Sequence, residues 1–231
     1  MASPSVARTR RPTATLESDD VVAMRAAELR DWAGRNVRTI GIVAAVVAAI
    51  LLAVVGFSYY RQTQAAAAAA AYLELQATAQ PGPQGIQQME RFIAQHGGST
   101  EGHEARLTLA GMYLDANQPQ RAVQHAREVA RNGGALEYQG QMMLGNALIR
   151  ANDRTGALAA YQAAAEGAET DFQRFDARTA AALVQENAGQ WQAAVDTYRQ
   201  LLKDTEEGSM DRSVVEMRIA EAEGHLAGAR R

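Results

Sequence analysis

The sequence predicts an all-α protein in which a single membrane-spanning helix is followed by a solenoid of paired helices. Apolar residues make up 47% of its 231 residues, but aromatic residues make up only 6%. The β-branched residues are concentrated in one early stretch, so the remainder favours helix over strand. That early stretch is long and uncharged, and a helix-turn-helix pattern recurs behind it.

Charge and cysteine content exclude several classes of function. The chain contains no cysteine, which excludes a disulfide framework, thiolate metal sites and cysteine nucleophiles. Its net charge is −3, divided into about +2 before Thr39 and about −5 from Arg61 onward. An acidic body argues against a nucleic acid partner.

The uncharged run from residue 39 to residue 60 predicts a transmembrane helix. Its 22 residues would span about 33 Å as a helix, which matches the hydrocarbon core of a bilayer. Trp32 precedes the run and Tyr59 and Tyr60 end it, at the positions where amphipathic rings prefer the headgroup zone. Two alternatives remain. One is a buried core helix, and the other is a cleaved export signal, for which Ala65–Ala71 supplies A-x-A patterns.

Arginines flanking the run predict its orientation. Arg30, Arg35 and Arg38 precede it closely, whereas only Arg61 follows it closely. Because basic residues stay on the cytoplasmic side, we expect a cytoplasmic N-terminus and a periplasmic C-terminal domain at a bacterial inner membrane.

Three segments behind the run align with one another: LDANQPQRA (114–122), IRANDRTGA (149–157) and ENAGQWQAA (186–194). Their last alanines are 35 and 37 residues apart. The fourth residue of each segment is Asn117, Asn152 or Gly189, types that tolerate positive φ and so end one helix before the next begins. Each segment therefore predicts a helix-turn-helix corner.

The helices on either side of each corner follow the same period. On each incoming helix, a pair of residues that includes a small one is followed three positions later by a third residue of the pattern. The three sets are Leu109-Ala110 with Tyr113, Leu144-Gly145 with Leu148, and Ala181-Ala182 with Gln185. The outgoing helices carry Ala126, Tyr161 and Tyr198 four residues after the anchoring alanines. This pattern resembles the tetratricopeptide repeat, which implies an α-solenoid. Gln185, where a large residue is usual, departs from the pattern.

We expect the chain to divide at the boundaries that these features set. The segments are a disordered cytoplasmic tail (1–27), a juxtamembrane segment (28–38), the transmembrane helix (39–60), a helical stalk with a degenerate first repeat unit (61–100), three repeats (101–208) and a capping helix (209–231). The capping helix has apolar Val214, Val215, Met217, Ile219 and Leu226 among charged residues, and an array of this kind requires such a cap.

No motif indicates an enzyme. The four histidines occupy unrelated positions without companions at ligand spacing, so we expect surface or loop histidines rather than metal ligands. No phosphate-binding loop, nucleophile motif or dinucleotide-binding motif is present. Met142, Met143 and Trp191 fall at repeat positions, and core packing accounts for them. We therefore expect no catalytic residues, no cofactor, no metal and no small-molecule substrate.

The concave face of such an array is lined by the incoming helix of each repeat, and it is the expected binding surface for proteins. In the usual register the lining residues are Leu107, Leu114, Met142, Asn146, Ile149, Arg150, Leu183 and Glu186. Tetratricopeptide domains that clamp a terminal carboxylate use lysines on this face, and the only lysine of this chain, Lys203, lies on an outgoing helix. A groove with methionine and leucine suits loosely specified apolar segments of client chains.

The whole layout resembles the YfgM-like proteins, the ancillary subunits of the bacterial Sec translocon. The residues that carry the resemblance are Glu28, Trp32, Arg35 and Asn36, together with the uncharged run. The resemblance implies contact with the translocon and with periplasmic chaperones or exported clients. A scaffold for cell-envelope assembly or division remains an alternative, and so does an enzymatic activity, although no catalytic group supports it.

Overall fold

The computed structural model describes residues 16–78, 82–203 and 210–228, and these residues form helices and turns without a strand. The α-helices are α1 (Leu16–Arg35), α2 (Val37–Thr78), α3 (Pro83–His96), α4 (Thr100–Asp115), α5 (Pro119–Asn132), α6 (Glu137–Arg150), α7 (Arg154–Glu166), α8 (Asp171–Asn187), α9 (Trp191–Lys203) and α10 (Met210–Gly228). A short 3₁₀ helix, Gly134–Leu136, precedes α6. The all-α prediction is confirmed. Residues 1–15 of the expected tail and residues 204–209 lie outside the described residues.

The chain forms two units, residues 1–62 and residues 63–231. In the first unit, α1 includes residues 16–27, which were expected to be disordered; neither Gly nor Pro interrupts this segment. The break after α1 falls at Asn36, whose side-chain Nδ2 donates to the carbonyl oxygen of Trp32 at 2.8 Å. The backbone hydrogen bonds nevertheless continue through this residue, because Asn36 N donates to the Trp32 carbonyl oxygen at 3.0 Å and Ile40 N donates to the Asn36 carbonyl oxygen at 2.9 Å.

Helix α2 is, among the described residues, the one helix long and apolar enough to cross a membrane by length and composition. Its most apolar stretch is entirely unburied, with side chains such as Ile42 and Leu52 exposed. The helix has 42 residues. At about 1.5 Å per residue it measures roughly 63 Å, about twice the hydrocarbon thickness of a bilayer.

The second unit is a stack of helix pairs. Each helix from α3 to α10 contacts the next helix along the chain, and α4 also contacts α6. The end of α2 joins the stack through Tyr72, whose ring lies 5.4 Å from that of Phe92 on α3. Contacts between neighbours in sequence are the mark of a solenoid.

Residues with positive φ end the three helices that precede the corners, as the sequence predicts. The φ angles are 55° at Asn117, 61° at Asn152 and 71° at Gly189. In each corner the next amide donates back to the helix, from Gln118 to Tyr113 O at 2.7 Å, from Asp153 to Leu148 O at 2.8 Å and from Gln190 to Gln185 O at 2.9 Å. This is the Schellman arrangement, which satisfies carbonyls at the helix end.

The small residues of the pattern lie where helices approach closely. Ala122, Ala157 and Ala194 are each 0% exposed. A Cβ added at Gly145 would come within 2.4 Å of the Tyr161 ring. The departure at Gln185 is accommodated because this buried side chain accepts a hydrogen bond from Thr197 Oγ1 at 2.9 Å.

Helix α10 packs on α9 through part of its apolar side. Val215 and Ala222 are buried, and Val215 joins a cluster with Tyr198 and Leu201. Val214 and Met217, which the sequence places among the apolar residues of the cap, are instead largely exposed, Met217 by 59%.

Replacing Ala157 with leucine should overpack the α6–α7 contact and lower the free energy of unfolding by about 1 to 3 kcal/mol, because no space remains at this position. Ala159→Leu on the exposed side of α7 is the matched control and should change it by less than about 0.5 kcal/mol. Thermal unfolding of the two variants measures the difference. Equal midpoints for both would show that Ala157 is not at a close crossing.

Candidate protein-binding groove

The expected groove residues lie on the three incoming helices of the stack. Leu107 and Leu114 are on α4, Met142, Asn146, Ile149 and Arg150 are on α6, and Leu183 and Glu186 are on α8. None of the eight is fully buried, whereas the opposite sides of the same helices carry core residues such as Leu109, Leu144 and Ala181. The helices therefore divide into a packed side and a side left to the solvent.

Four of these side chains form what we call the apolar strip: Leu107, Leu114, Met142 and Ile149. Leu183 on α8 is the remaining apolar member of the predicted groove. Leu107 and Leu114 are seven residues apart, and so are Met142 and Ile149, so each pair occupies one side of its helix. The two pairs are also separated by 35 residues, the spacing of the repeat. Equivalent positions on neighbouring helices lie side by side, and the strip therefore runs from α4 to α6.

The members of the strip are partly held by the core beneath them. Leu114 and Met142 are half-buried and pack against the main core cluster, while Ile149 is 37% exposed. A strip of this kind keeps its place but retains apolar area that a bound chain would remove from water.

Arg150 links neighbouring incoming helices at the edge of the strip. Its Nη2 donates to the carbonyl oxygen of Leu114 at 3.5 Å, a long hydrogen bond that leaves the guanidinium exposed. This hydrogen bond joins two of the predicted groove residues directly.

Asn146 is held by an outgoing helix. The Tyr161 hydroxyl donates to Asn146 Oδ1 at 2.7 Å. Burial, and then the negative charge of Asp176, raise the pKa of Tyr161 to about 12. The hydroxyl therefore stays protonated as a donor at neutral pH, and the amide of Asn146 keeps a fixed orientation beside the strip.

Glu186 is withdrawn from the groove. Its side chain is only 11% exposed, and Oε2 lies 3.9 Å from Nη1 of Arg218 on α10. Its Oε1 atom is buried and has no hydrogen-bond partner among the described residues, and the same holds for the neighbouring Tyr198 hydroxyl. Burial, followed by the charge of Glu186, raises the pKa of Tyr198. Glu186 thus belongs to the α8–α9–α10 junction.

A link between repeats that the sequence did not indicate joins α6 to α8. The Tyr138 hydroxyl donates to the Gln173 carbonyl oxygen at 3.1 Å and lies 3.2 Å from Asp176 Oδ2. Burial and then the charge of Asp176 raise the pKa of Tyr138 to about 12. The repeat spacing places these three residues on consecutive incoming helices, but it does not indicate that their side chains meet.

The expectation of surface histidines is wrong for His103, which is 8% exposed. It lies between buried Gly102 and Ala105 in the first turns of α4. His225 instead stacks on Trp191 with ring centroids 4.0 Å apart. In the described segments no three histidine or acidic side chains are grouped to hold a metal ion.

Helix pairs closed by left-handed residues and stacked in sequence order, with an apolar strip on the incoming helices, define a helical-repeat protein of the type that binds other proteins. The model of the tetratricopeptide repeat-like domain family matches residues 30–224. The chain belongs to this family, which confirms the repeat prediction.

Solved structures with a similar arrangement include two entitled "Crystal structure of MamA protein" and "Crystal structure of MamA". The first is 16% identical, with a TM-score of 0.44, and the match covers 62% of this chain and 78% of that one. The second is 17% identical, with a TM-score of 0.45, and covers 64% and 90%. No curated protein sequence matches at a significant level.

Two glycines of α4 and α6 should respond oppositely to alanine. Gly145→Ala would drive a Cβ into the Tyr161 ring and should cost about 1 to 3 kcal/mol. Gly111 has nothing within 4 Å of an added Cβ, so Gly111→Ala should stabilise the helix by about 0.5 to 1 kcal/mol. Chemical denaturation of both variants measures the sign. Stabilisation by Gly145→Ala would contradict the packing described.

Proposed function

We propose that this protein is a bacterial inner-membrane protein whose periplasmic repeat domain binds polypeptides in the groove, and that it serves as an ancillary subunit of the Sec translocon. In this role it links translocation to periplasmic chaperones or exported clients. The observation that carries the proposal is the apolar strip on α4 and α6, in a chain that also contains a helix able to cross a membrane.

The composition of the strip supports a polypeptide partner. Flexible side chains such as Leu114 and Met142 repack around different shapes, which suits apolar segments of varied sequence. The neighbouring Asn146 and Arg150 offer amide and guanidinium donors to the backbone of a bound segment. No lysine lies on the incoming helices α4, α6 and α8, so a clamp of the lysine type for terminal carboxylates is disfavoured.

The charge distribution around α2 supports the topology. Arg30 and Arg35 lie on α1, and Arg38 lies in the first turn of α2, whereas Arg61 is the only basic residue close behind the apolar stretch. Retention of basic residues in the cytoplasm puts the N-terminus there and the repeats in the periplasm.

The translocon assignment rests on the resemblance to YfgM-like proteins around Trp32 and Asn36. These residues lie where α1 ends and α2 begins, and the Asn36 side chain donates to the Trp32 carbonyl oxygen. Contact with a membrane channel would use this junction and the apolar stretch, while soluble partners would use the groove. A non-catalytic role fits the repeat family.

A reporter enzyme fused after Arg231 should be active in the periplasm and not in the cytoplasm, because three arginines precede the apolar stretch and one follows it. The mature protein should also keep its first 38 residues. A reporter that is active only in the cytoplasm contradicts the orientation, and an N-terminus near Ala67 indicates a cleaved signal.

Replacing Leu114, Met142 and Ile149 together with serine should weaken client or chaperone binding, because each change removes apolar area worth roughly 1 to 3 kcal/mol at a central position of an interface. Translocon copurification should persist. Val214→Ser with Met217→Ser is the matched control, since both side chains are apolar and exposed on α10, and it should leave binding unchanged.

Exchange of residues 28–61 for an unrelated single-pass anchor should give the opposite result, with groove contacts kept and translocon copurification lost. If the groove variant loses the translocon and the anchor exchange keeps it, the assignment of roles is wrong. If neither the natural chain nor the groove variant copurifies with the translocon, a cell-envelope or division scaffold becomes the better account.

A further inference from the structure

Four exposed arginines on the outgoing helices α3 and α5 have no acidic partner in the described segments. We call them the outer basic patch: Arg91, Arg121, Arg127 and Arg131. Several arginines elsewhere in the stack hold carboxylates, as in Arg174–Asp171 at 2.6 Å, Arg199–Glu223 at 2.7 Å, Arg212–Glu216 at 3.0 Å and Arg218–Glu221 at 3.2 Å. The outer basic patch therefore leaves four guanidinium groups available to a ligand.

The helical register and the repeat spacing predict that these arginines share the outer side of the stack. Arg121, Arg127 and Arg131 lie within an arc of about 120° on α5, away from its buried residues, and extend over about 15 Å of its axis. Arg91 and Arg127 are 36 residues apart, close to the 35 and 37 residues between corners, so α3 is the repeat equivalent of the outgoing helix α5. The Arg121 guanidinium lies 4.9 Å from the centroid of the Tyr113 ring, which holds it in place.

Within the described part of the chain, the two carboxylates nearest in sequence form hydrogen bonds with neutral groups and no ion pair with the patch, so four arginines face two carboxylates in this region. Glu128 Oε1 accepts a hydrogen bond from Asn132 Nδ2 at 3.0 Å. Glu90 accepts one from the Tyr113 hydroxyl. His125 also lies on α5. Burial, and then the charge of Arg106 on α4, lower the pKa of His125, so this residue adds no positive charge at neutral pH. The patch is a local excess of arginine in a body that is otherwise acidic.

The chemistry of the patch fits phosphate groups on an extended surface. Guanidinium forks match phosphate oxygens in pairs. Single-stranded nucleic acid is bound with aromatic platforms for the bases, and α3 and α5 expose no large apolar or aromatic side chain. The patch therefore provides charge and hydrogen-bond donors without any means of reading bases.

We propose that the outer basic patch docks on the anionic phospholipid headgroups of the membrane that α2 crosses. This inference rests on the membrane anchoring in the proposed function. A tether of this kind keeps the repeats at a high effective concentration near the lipid surface, so weak contacts suffice. Each arginine close to an anionic surface should change the ratio of docked to undocked protein by about fivefold at moderate ionic strength.

The full chain lacks cysteine, so Gln124→Cys places a single fluorescent label on the exposed side of α5, between the arginines. The labelled chain is reconstituted in vesicles of phosphatidylcholine, with or without phosphatidylglycerol, that carry a quencher on the headgroups. We expect stronger quenching with phosphatidylglycerol, and loss of this increment at high sodium chloride. Replacing all four arginines with glutamine should also abolish the increment.

The chain provides a matched control for charge. Lys203 on α9 is the repeat equivalent of Arg131, 72 residues later, and it is also exposed. Arg131→Gln should reduce the docked-to-undocked ratio about fivefold, while Lys203→Gln should leave it nearly unchanged. Equal effects of the two changes would show that net charge, and not the patch, governs docking.

Other outcomes overturn the proposal. Quenching that is independent of phosphatidylglycerol and of the four arginines excludes lipid docking. Displacement by inorganic phosphate, but not by chloride at the same ionic strength, indicates a site for free phosphate. Binding of an acidic protein through the arginines, without any lipid effect, assigns the patch to a protein partner. If the chain itself is not integral to the membrane after alkaline extraction, the proposed anchoring fails first.

Discussion

The close approach of paired helices at small residues is the constraint on which the rest of the structure depends. Helix axes that pack at about 8 to 10 Å leave no room for large side chains at the crossing. Ala122, Ala157 and Ala194 fill these crossings and are fully buried. Leu, Tyr and Val side chains of the core then fill the space one turn away, as Tyr161 does against Gly145. The turn residues have to end each helix at the point that brings these crossings together.

This constraint also decides what the array shows to its surroundings. Once one side of an incoming helix is fixed against its neighbours, the opposite side is fixed as well. On α4 and α6 the exposed side carries Leu114 and Met142 of the apolar strip. On α5 the side away from the core carries Arg127 and Arg131. The same packing therefore produces two surfaces of different chemistry, one apolar and one basic, on different helices of the stack.

The local parts of this architecture could be predicted from the sequence, because their causes are local. The spacing of the alanines and the residue types Asn117, Asn152 and Gly189 predict corners that the structure contains. Side chains that depend on distant neighbours could not be placed. Glu186 was expected in the groove, but it faces Arg218, whose position follows from how α10 docks. His103 was expected at the surface and is buried.

Such failures follow from limits of the periodic pattern. A repeat pattern specifies which side of a helix is packed, but it does not specify where a long polar side chain ends. Tyr138 reaches Asp176 because its ring crosses from α6 to α8, a distance that spacing alone does not give. Val214 and Met217 lie on an apolar-looking helix, yet both are exposed, because α10 packs on α9 only through the side that carries Val215 and Ala222.

The central claim is that a polypeptide partner occupies the groove formed by the incoming helices. A photo-activated crosslinking residue placed at Met142 in the membrane-embedded chain tests it most directly, with the same residue at exposed Gln162 on α7 as the comparison. The account predicts crosslinked polypeptide at Met142 and little at Gln162, with the Met142 product lost when Leu114 and Ile149 are changed to serine. Crosslinking at Gln162 but not at Met142 would contradict it.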